Sequence, residues 1–291
     1  MKVLITGSNG QLGSEIKSLA GKYVNLEFIF KNLSELDICE KGALEILFQD
    51  QDINAVINCA AYTAVDKAEG EFENVRKVNF GGVSNLDKAI GKVSGKMIHI
   101  STDYVFNGDH SVPYIESDQV SPIGVYGKTK REGELAILSS EIDAIVIRTS
   151  WLYSAYGNNF VKTMLKLGKE RDELGVISDQ IGTPTNARDL AKTCLDILTF
   201  NQVDNLNQKG NLYHYSNEGV ASWYDFAMAI MDLGKLTCKL KPIQTEDYPT
   251  LARRPHYSVL AKTKIKDDFA VEIPYWRDSL KTCIERIKKG S

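Results

Sequence analysis

The chain opens with the stretch VLITGSNGQLG, residues 3–13, and this stretch decides the fold. Its β-branched and apolar start, Val3–Thr6, is typical of a buried strand, and from Leu12 to Leu19 apolar residues recur at helical spacing. Gly7 and Gly10 lie between the two patterns, and Gly13 lies at the start of the second. Because glycine permits turns that other residues avoid, the stretch predicts a tight strand–turn–helix unit.

The same alternation of short apolar runs and helical patterns continues through the first half of the chain. Strand-like runs occur at Leu26–Phe30, Ala55–Cys59, Lys96–Ser101 and Ala144–Thr149. Helical patterns lie between them, at Lys41–Phe48, Glu73–Ile90 and Lys128–Leu138. Strands that alternate with helices are joined by right-handed crossovers, so we expect an α/β fold with a doubly wound parallel sheet of the Rossmann type.

Composition excludes several classes of protein. The 291 residues include 25% charged and 43% hydrophobic residues, which is typical of a folded globular chain. A net charge of -3 does not suit an extended nucleic-acid surface. The five cysteines are scattered without a C-x-x-C pair, which argues against disulfides and zinc, and no apolar run is long enough to span a membrane. We expect a cytoplasmic protein.

The glycine loop is predicted to bind a dinucleotide. Between a strand and a helix, glycines let backbone N–H groups approach a pyrophosphate, and the helix N-terminus attracts that anion. The predicted contacts are Gly7, Asn9, Gly10, Gln11, Leu12 and Gly13. An ordinary turn is the alternative interpretation.

The end of the second strand bears on the choice of coenzyme. An NAD site usually carries a carboxylate about twenty residues after the glycines, but this chain has Lys31 there. A cation suits a 2'-phosphate, so NADPH is favoured over NADH, although Lys31 is also explained as a solvated surface residue. Asp37 and Ile38 follow as candidate adenine contacts, with Asp37 alternatively a cap for the helix near Lys41.

Small residues close the third strand, where a coenzyme would pass near the backbone. Ala60, Ala61 and Tyr62 are candidates for this contact, and tight packing explains them equally well.

The pattern changes after about Trp151, where loops become longer. We therefore expect residues 1–150 and roughly 186–216 to form the NAD(P)-binding Rossmann domain. Residues 151–185 and 217–291 would form a smaller C-terminal substrate-binding domain.

Tyr126 and Lys130 are the strongest catalytic candidates. They stand four positions apart, so on a helix both side chains lie on one face. A nearby ammonium favours the phenolate, so Lys130 is expected to lower the pKa of Tyr126, which would serve as a proton donor. Both side chains would then be within reach of the same ligand.

Thr102 is predicted to orient the carbonyl of a substrate. It follows the strand-like run that ends in Ser101, at the carboxyl edge where parallel sheets bind ligands. Ser101 is the alternative, and the alternation of side chains along a strand would point the two hydroxyls in opposite directions. His99, in the middle of that strand, is interpreted as a core histidine with its hydrogen bonds satisfied.

These motifs resemble the extended short-chain dehydrogenases/reductases, and within them the dTDP-4-dehydrorhamnose reductase family. The resemblance covers nearly the whole chain. It is carried by Thr6–Gly13, Ala60–Glu69, Ser101–Phe106, Tyr126–Lys130, Arg148–Trp151, Asp179–Gln180 and Gly182–Thr185. The first and fourth of these motifs occur throughout the superfamily, and the others are narrower.

The resemblance implies NAD(P)H-dependent reduction of the 4-keto group of dTDP-6-deoxy-L-lyxo-4-hexulose to dTDP-L-rhamnose, a step in polysaccharide biosynthesis. Residues 151–185 and 217–291 would then hold the sugar nucleotide. Tyr126 would give the proton, Lys130 would hold the nicotinamide ribose and Thr102 would orient the keto oxygen. Tyr126 and Lys130 would thus also contact the coenzyme. Substrate contacts carried over to this chain are Val65, Thr102, Asp103, Tyr104, Trp151 and Arg254.

Other functions on this scaffold stay open. A sugar-nucleotide epimerase, a reductase of a different keto-sugar, or a non-catalytic regulatory subunit would share much of the pattern. Some family members bind magnesium at a homodimer interface through glutamates. Glu15 is present, but Arg188 stands where a second glutamate is expected, so the sequence predicts no metal. A homodimer is the expected assembly.

Overall fold

The structure is a computed structural model, and it describes residues 1–200 and 211–290. The part of the predicted coenzyme domain at residues 201–210 lies outside these. The strands are β1 (Lys2–Thr6), β2 (Glu27–Lys31), β3 (Ala55–Asn58), β4 (Lys96–Thr102), β5 (Asp143–Thr149), β6 (Leu152–Tyr153), β7 (Glu173–Ile177), β8 (Ile181–Gly182), β9 (Thr185–Asn186), β10 (Asn211–Tyr215), β11 (Ala221–Ser222) and β12 (Lys239–Ile243). The helices are α1 (Gln11–Leu19), α2 (Lys41–Asp50), α3 (Val65–Ala68), α4 (Phe72–Arg76), α5 (Val83–Lys92), α6 (Val125–Leu138), α7 (Phe160–Glu170), α8 (Ala187–Thr199), α9 (Trp223–Gly234), α10 (Thr263–Phe269) and α11 (Trp276–Lys288).

Six parallel strands form the central sheet, in the order β10-β5-β4-β3-β1-β2. The chain starts at β1, proceeds to β2 on one side and then to β3 on the other. The loops after β1 and β3 therefore diverge, which opens a crevice at the carboxyl edge where such sheets bind ligands. The predicted doubly wound parallel sheet is confirmed.

Helices cover both faces of the sheet because strand side chains alternate. Val3 and Ile5 point to the face covered by α1, α8 and α10, whereas Leu4 points to the face covered by α2, α5 and α6. All three side chains are fully buried. A strand that is buried on both faces needs apolar side chains at successive positions, which is why β1 is a continuous apolar run in the sequence.

A separate apolar cluster belongs to the C-terminal part of the chain. It unites α7, α9, α11 and β7, with Phe226 and Trp276 packed edge to face at a centroid distance of 5.8 Å. Two-stranded pairings of β7 with β12, β8 with β11, and β6 with β9 lie in the same region of the sequence. This cluster is distinct from the two clusters that flank the large sheet.

The helix predicted over Glu73–Ile90 is present, but its middle is π-helical rather than α-helical. A π-helical turn, Lys77–Gly82, separates α4 from α5. Asn79 lies in this turn and is buried. A Cβ on Gly82 would lie 2.5 Å from Ile38 Cγ1, so the turn also needs a glycine where it meets the segment after β2.

A buried ion pair attaches α6 to the sheet. The Arg148 guanidinium donates from Nε to Glu134 Oε1 and from Nη2 to Glu134 Oε2, both at 2.8 Å, and both side chains are buried. Arg131 and Ser101 also donate to Glu134. Burial would raise the pKa of Glu134, but the hydrogen bonds and charge of Arg148 outweigh it and hold the pKa below its ordinary value of 4.5.

We expect Glu134→Gln to destabilise the fold by about 3–5 kcal/mol at neutral pH, because it leaves the buried Arg148 charge uncompensated. Glu132→Gln is the matched control on α6. Its partner, Arg76, is partly exposed, so the cost should be about 0–1 kcal/mol. Urea unfolding followed by circular dichroism measures both, and equal costs would contradict the assignment.

The sign of the pH dependence follows from the lowered pKa. The stabilisation by Glu134 is complete above its unfolded-state pKa and is lost as pH falls through the lower folded-state value. The difference between wild type and Glu134→Gln should therefore shrink in acid.

Candidate active site

The glycine loop lies at the crevice between β1 and β3. Gly7 has a left-handed φ of 60°, and a Cβ there would lie 2.8 Å from Ala60 N. A Cβ on Gly13 would lie 2.6 Å from Gly7 O. The loop can therefore approach both the end of β3 and the start of α1 only because these residues lack side chains.

The first turn of α1 faces the crevice with its backbone. The helix begins at Gln11, and the N–H groups of a first turn have no partner within the helix, which makes it an anion site. The Leu12 side chain is buried in the core, so Leu12 can reach a ligand only through its backbone. Gln11 accepts a hydrogen bond from Asn159 at 3.0 Å, and Asn9 is exposed at the loop tip.

The structure places Lys31 beside this loop, because Lys31 O accepts from Ser8 N at 3.1 Å. Asp37 Oδ1 accepts from Cys39 N at 2.8 Å, while α2 is preceded by Glu40, so the alternative role of Asp37 as the cap of that helix is wrong. The Ile38 side chain is buried against Gly82. Only the Ile38 backbone remains for a ligand.

Asn79, which the sequence did not indicate, holds the segment after β3. Its Oδ1 accepts from Tyr62 N at 2.9 Å, and its Nδ2 donates to Tyr62 O at 3.3 Å and to Thr129 Oγ1 on α6 at 3.2 Å. Ala60 N donates to Asn58 Oδ1 at 3.2 Å. The backbone of residues 60–62 is thus fixed from both sides at the crevice.

Tyr126 and Thr102 come together at the carboxyl edge of the sheet. Tyr126 lies in the first turn of α6 and Thr102 ends β4, and the Thr102 hydroxyl acts on the Tyr126 phenol in the direction that lowers its pKa. Thr102 Oγ1 also donates to Asp103 Oδ1 at 3.1 Å and accepts from Tyr104 N at 3.2 Å. Ser101 Oγ instead donates to Glu134 at 2.5 Å, so the alternation along β4 assigns the hydroxyl beside Tyr126 to Thr102.

The expected effect of Lys130 on Tyr126 is wrong in this structure. Burial, with the charge of Asp103 acting in the same direction, raises the pKa of Tyr126 to about 12, against the opposing influence of the Thr102 hydroxyl. Lys130 Nζ lies elsewhere: it donates to Ile100 O at 2.6 Å. Burial lowers the pKa of Lys130 itself to about 8. Tyr126 and Lys130 both lie on α6 at the predicted spacing, but Lys130 Nζ points toward β4 rather than toward the Tyr126 hydroxyl.

Asp103 and Tyr104 line the same edge. Asp103 is buried, which raises its pKa to about 6, although the hydroxyls of Ser258 and Thr102 oppose that effect. The Tyr104 ring meets the Tyr126 ring edge to face at 5.5 Å. Ser258, on the C-terminal side of the chain, carried no sequence signal.

Val65 and Arg254 are brought to this edge from opposite ends of the chain. Val65 begins α3, and the next residue, Asp66, forms an ion pair with Arg254 in which Nη2 and Oδ2 are 2.8 Å apart. The pair holds the pKa of Asp66 below its ordinary value, chiefly through the hydrogen bond from Arg254. The charge of Arg254 also acts on Tyr104. Sequence reasoning missed Asp66 because 188 positions separate the partners.

Trp151 has a strained backbone. Its φ is 48°, which is unusual for a bulky residue and is a feature of functional sites. The indole stacks on Trp223 with a centroid distance of 3.7 Å and covers Gly182, where a Cβ would lie 2.7 Å from Trp151 Cε2. Trp223 was not predicted, because a tryptophan at the start of a helix is indistinguishable in sequence from a packing residue.

Glu15 is fully paired with arginines. Arg286 Nη1 donates to Glu15 Oε1 and Oε2 at 2.8 and 2.9 Å, and Arg188 Nη1 lies 3.4 Å from Oε2. Ser154 Oγ donates to Oε1 at 2.7 Å. Within residues 1–200 and 211–290, no group of three or more His, Cys, Asp or Glu side chains could hold a metal ion. Over the same residues, no helix combines the length and apolar character needed to cross a membrane.

Comparison with known proteins gives consistent matches over the full chain. The family model described as the RmlD substrate binding domain matches residues 1–289. The dTDP-4-dehydrorhamnose reductase of Aggregatibacter actinomycetemcomitans is 42% identical over 286 residues, covering 96% of this chain and 97% of that protein.

Two solved structures agree closely with this fold. A dTDP-4-dehydrorhamnose reductase from Clostridium acetobutylicum is 43% identical, with a TM-score of 0.91 over 99% of this chain and 100% of that one. The reductase from Bacillus anthracis, solved in complex with NADP, is 35% identical, with a TM-score of 0.90 over 98% of this chain and 99% of that one. The chain therefore belongs to the dTDP-4-dehydrorhamnose reductase family, within the extended short-chain dehydrogenases/reductases.

Proposed function

We propose that this chain is an oxidoreductase that reduces the 4-keto group of dTDP-6-deoxy-L-lyxo-4-hexulose to give dTDP-L-rhamnose. The observation that carries the proposal is the meeting of Tyr126 and Thr102 at the carboxyl edge of the sheet, the edge that also carries the glycine loop after β1. A proton donor and an orienting hydroxyl at a dinucleotide crevice fit carbonyl reduction. Membership of the reductase family supports the sugar nucleotide as substrate.

The crevice fits a nicotinamide dinucleotide. Gly7 and Gly13 leave no room for side chains, and the first turn of α1 offers backbone donors to a pyrophosphate. Lys31 beside Ser8 suits a 2'-phosphate, so NADPH is the expected coenzyme, with NADH as the alternative. The NADP found in the Bacillus anthracis relative supports this preference.

Tyr126 is suited to giving a proton. The hydride for the keto carbon would come from the coenzyme that this crevice would hold. A pKa of about 12 keeps the Tyr126 hydroxyl protonated at neutral pH, so its proton is available to the keto oxygen as negative charge develops there. A secondary alkoxide is a stronger base than a phenolate, so the transfer is downhill even with this raised pKa. Tyr126 then recovers a proton before the next turnover.

Thr102 is suited to orienting the carbonyl. Thr102 donates its single hydroxyl hydrogen to Asp103, and its oxygen accepts from Tyr104 N. Rotation of that hydroxyl would aim the hydrogen at a substrate oxygen instead, so the acidic Asp103 controls which way Thr102 points. We assign Lys130 to the ribose hydroxyls of the nicotinamide.

The remaining residues on this edge are assigned to the sugar nucleotide. Val65, Tyr104 and Trp151 would line the sugar pocket, and Asp103 would contact the substrate through the hydroxyl network. Arg254 would approach the nucleotide portion. Since Asp66 pairs with Arg254, a substrate diphosphate would compete with a carboxylate for the same guanidinium.

The domain assignment, compartment and assembly form part of the same proposal. We assign residues 1–150 and roughly 186–216 to the coenzyme and residues 151–185 and 217–291 to the sugar nucleotide. The separate apolar cluster around Phe226 supports a second folding unit. A cytoplasmic homodimer is the assembly we propose.

Tyr126→Phe should lower the rate of NADPH oxidation with the keto-sugar by about 10²–10⁴-fold, because the proton donor is lost. NADPH affinity should be retained. Tyr224→Phe, which removes a hydroxyl from α9 instead, is the control and should keep the wild-type rate. Absorbance of NADPH follows the reaction, and a Tyr126→Phe rate close to wild type would contradict the role of Tyr126.

The same assay tests the substrate. Rapid oxidation of NADPH with the dTDP keto-sugar and slow oxidation with a UDP-linked keto-sugar support the proposed function. A tightly retained, unreduced NAD would indicate an epimerase, and bound coenzyme with no turnover of any keto-sugar would indicate a binding protein.

Gly7→Ala should weaken NADPH binding by about tenfold or more, equivalent to 1.4 kcal/mol, because the new Cβ meets Ala60 and the φ of 60° is strained. Gly21→Ala is the control, since nothing lies within 4 Å of a Cβ there. Fluorescence titration with NADPH measures both variants. Equal affinities would remove the glycine loop from the coenzyme site.

A further inference from the structure

A line of buried polar groups crosses the sheet below the crevice. Thr6 Oγ1 on β1 donates to Asn58 Oδ1 on β3 at 2.6 Å, and Asn58 Nδ2 lies 3.0 Å from His99 Nδ1 on β4. His99 Nε2 lies 3.4 Å from Lys130 Nζ on α6. All four side chains are buried. His99 thus joins Lys130 to the strand that precedes the glycine loop.

The orientation of Asn58 fixes the tautomer of His99. A backbone N–H can only donate, and Ala60 N lies 3.2 Å from Asn58 Oδ1, so this atom is the acceptor end of the amide. Asn58 Nδ2 therefore donates to His99 Nδ1. A neutral imidazole carries one N–H, so when Nδ1 accepts, the hydrogen lies on Nε2.

The Nε2–H of His99 faces a group that already donates. Lys130 Nζ donates to Ile100 O at 2.6 Å, and an ammonium has no lone pair to accept a hydrogen. A neutral amine has one, and it can donate to Ile100 and accept from His99 at the same time. The hydrogen-bond pattern around Nζ therefore favours the amine over the ammonium.

Burial and the surrounding charges also favour a neutral His99 and a neutral Lys130. Burial lowers the pKa of His99 well below 6.5, and the charge of Lys130 acts in the same sense. Burial also lowers the pKa of Lys130 to about 8. Glu134, one turn along α6, opposes this by raising the Lys130 pKa, but its carboxylate is paired with Arg148 on β5 and with Arg131 on α6.

We propose that His99 is a positioning residue that sets the protonation of Lys130 by presenting its Nε2–H to Nζ. The proposal rests on the proposed function, in which Lys130 holds the nicotinamide ribose. Because Asn58 also accepts from Ala60, on which Gly7 packs, one hydrogen-bond network joins the loop at the coenzyme crevice to the charge of Lys130. The ammonium is then available only below the lowered pKa of Lys130.

The tautomer is tested directly in the wild-type protein. The chain has four histidines, so their side-chain ¹⁵N correlations can be resolved and assigned. We expect neutral His99 with the hydrogen on Nε2 at neutral pH. His214 is the internal reference and should show the opposite tautomer, since its Nδ1 lies 3.1 Å from Tyr114 O, which can only accept. An Nδ1–H tautomer or an imidazolium at His99 would overturn the proposal.

The effect on Lys130 is tested by the pH dependence of NADPH affinity and of kcat/KM. Affinity and kcat/KM should fall at high pH as the Lys130 ammonium loses its proton. His99→Phe removes the N–H that favours the amine, so this alkaline limb of both pH profiles should move to higher pH by about one unit or more, a tenfold change in the proton affinity of Lys130. His99→Gln keeps an amide donor and should restore the wild-type limb. His214→Phe loses a buried imidazole that bonds Tyr114 and Arg148, and should also keep that limb.

The outcomes separate this inference from the proposed function. If wild type reduces the keto-sugar but His99→Phe leaves the limb in place, the inference fails and the function stands. If wild type shows no turnover, NMR titration of lysine Nζ in wild type and His99→Gln still decides the inference. An Nζ that titrates near 10 in wild type overturns it. The tautomer and lysine measurements need only wild type and His99→Gln, so misfolding of the Phe variant does not remove the test.

Discussion

The close approach of Gly7 to the backbone at Ala60 is the contact on which the crevice depends. No side chain fits between the two segments, and the left-handed φ of Gly7 turns the chain from β1 into α1 at that point. The first turn of α1 therefore faces the gap between β1 and β3. The same contact brings the loop after β1 next to Asn58, so the position of the coenzyme crevice and the buried polar network are fixed together.

Helix α6 connects this crevice to the chemistry. Its middle is attached to β5 by the buried pair of Glu134 and Arg148, and its N-terminal turn carries Tyr126 to the end of β4. Burial then dominates the electrostatics: it raises the pKa of Tyr126 and lowers that of Lys130. Both groups are thus shifted towards their neutral forms. Whether Lys130 presents a positive charge to a ligand depends on the hydrogen bonds of its Nζ with Ile100 and His99.

Much of the fold could be predicted because its pattern is local. Five of the six strands of the main sheet follow from short apolar runs, and most of α6 follows from helical spacing, although the predicted helix began at Lys128, after Tyr126. The π-helical turn at Asn79 could not be predicted, because the sequence around it keeps a helical pattern and its reason lies in contacts with Tyr62 and Thr129. The predicted lowering of the Tyr126 pKa was also wrong, since spacing along a helix does not say where Lys130 Nζ points.

The sequence by itself determined the doubly wound sheet, the glycine loop and the spacing of Tyr126 and Lys130, because each is recorded in local patterns: apolar runs that alternate with helical spacing, a cluster of glycines, and two residues four positions apart. Only the tertiary structure decided which partners complete the site. Arg254 meets Asp66, and His99 meets Asn58 and Lys130, across distances in the chain that no local pattern records. Protonation was decided there too, because a pKa depends on burial and on charges that only folding brings together.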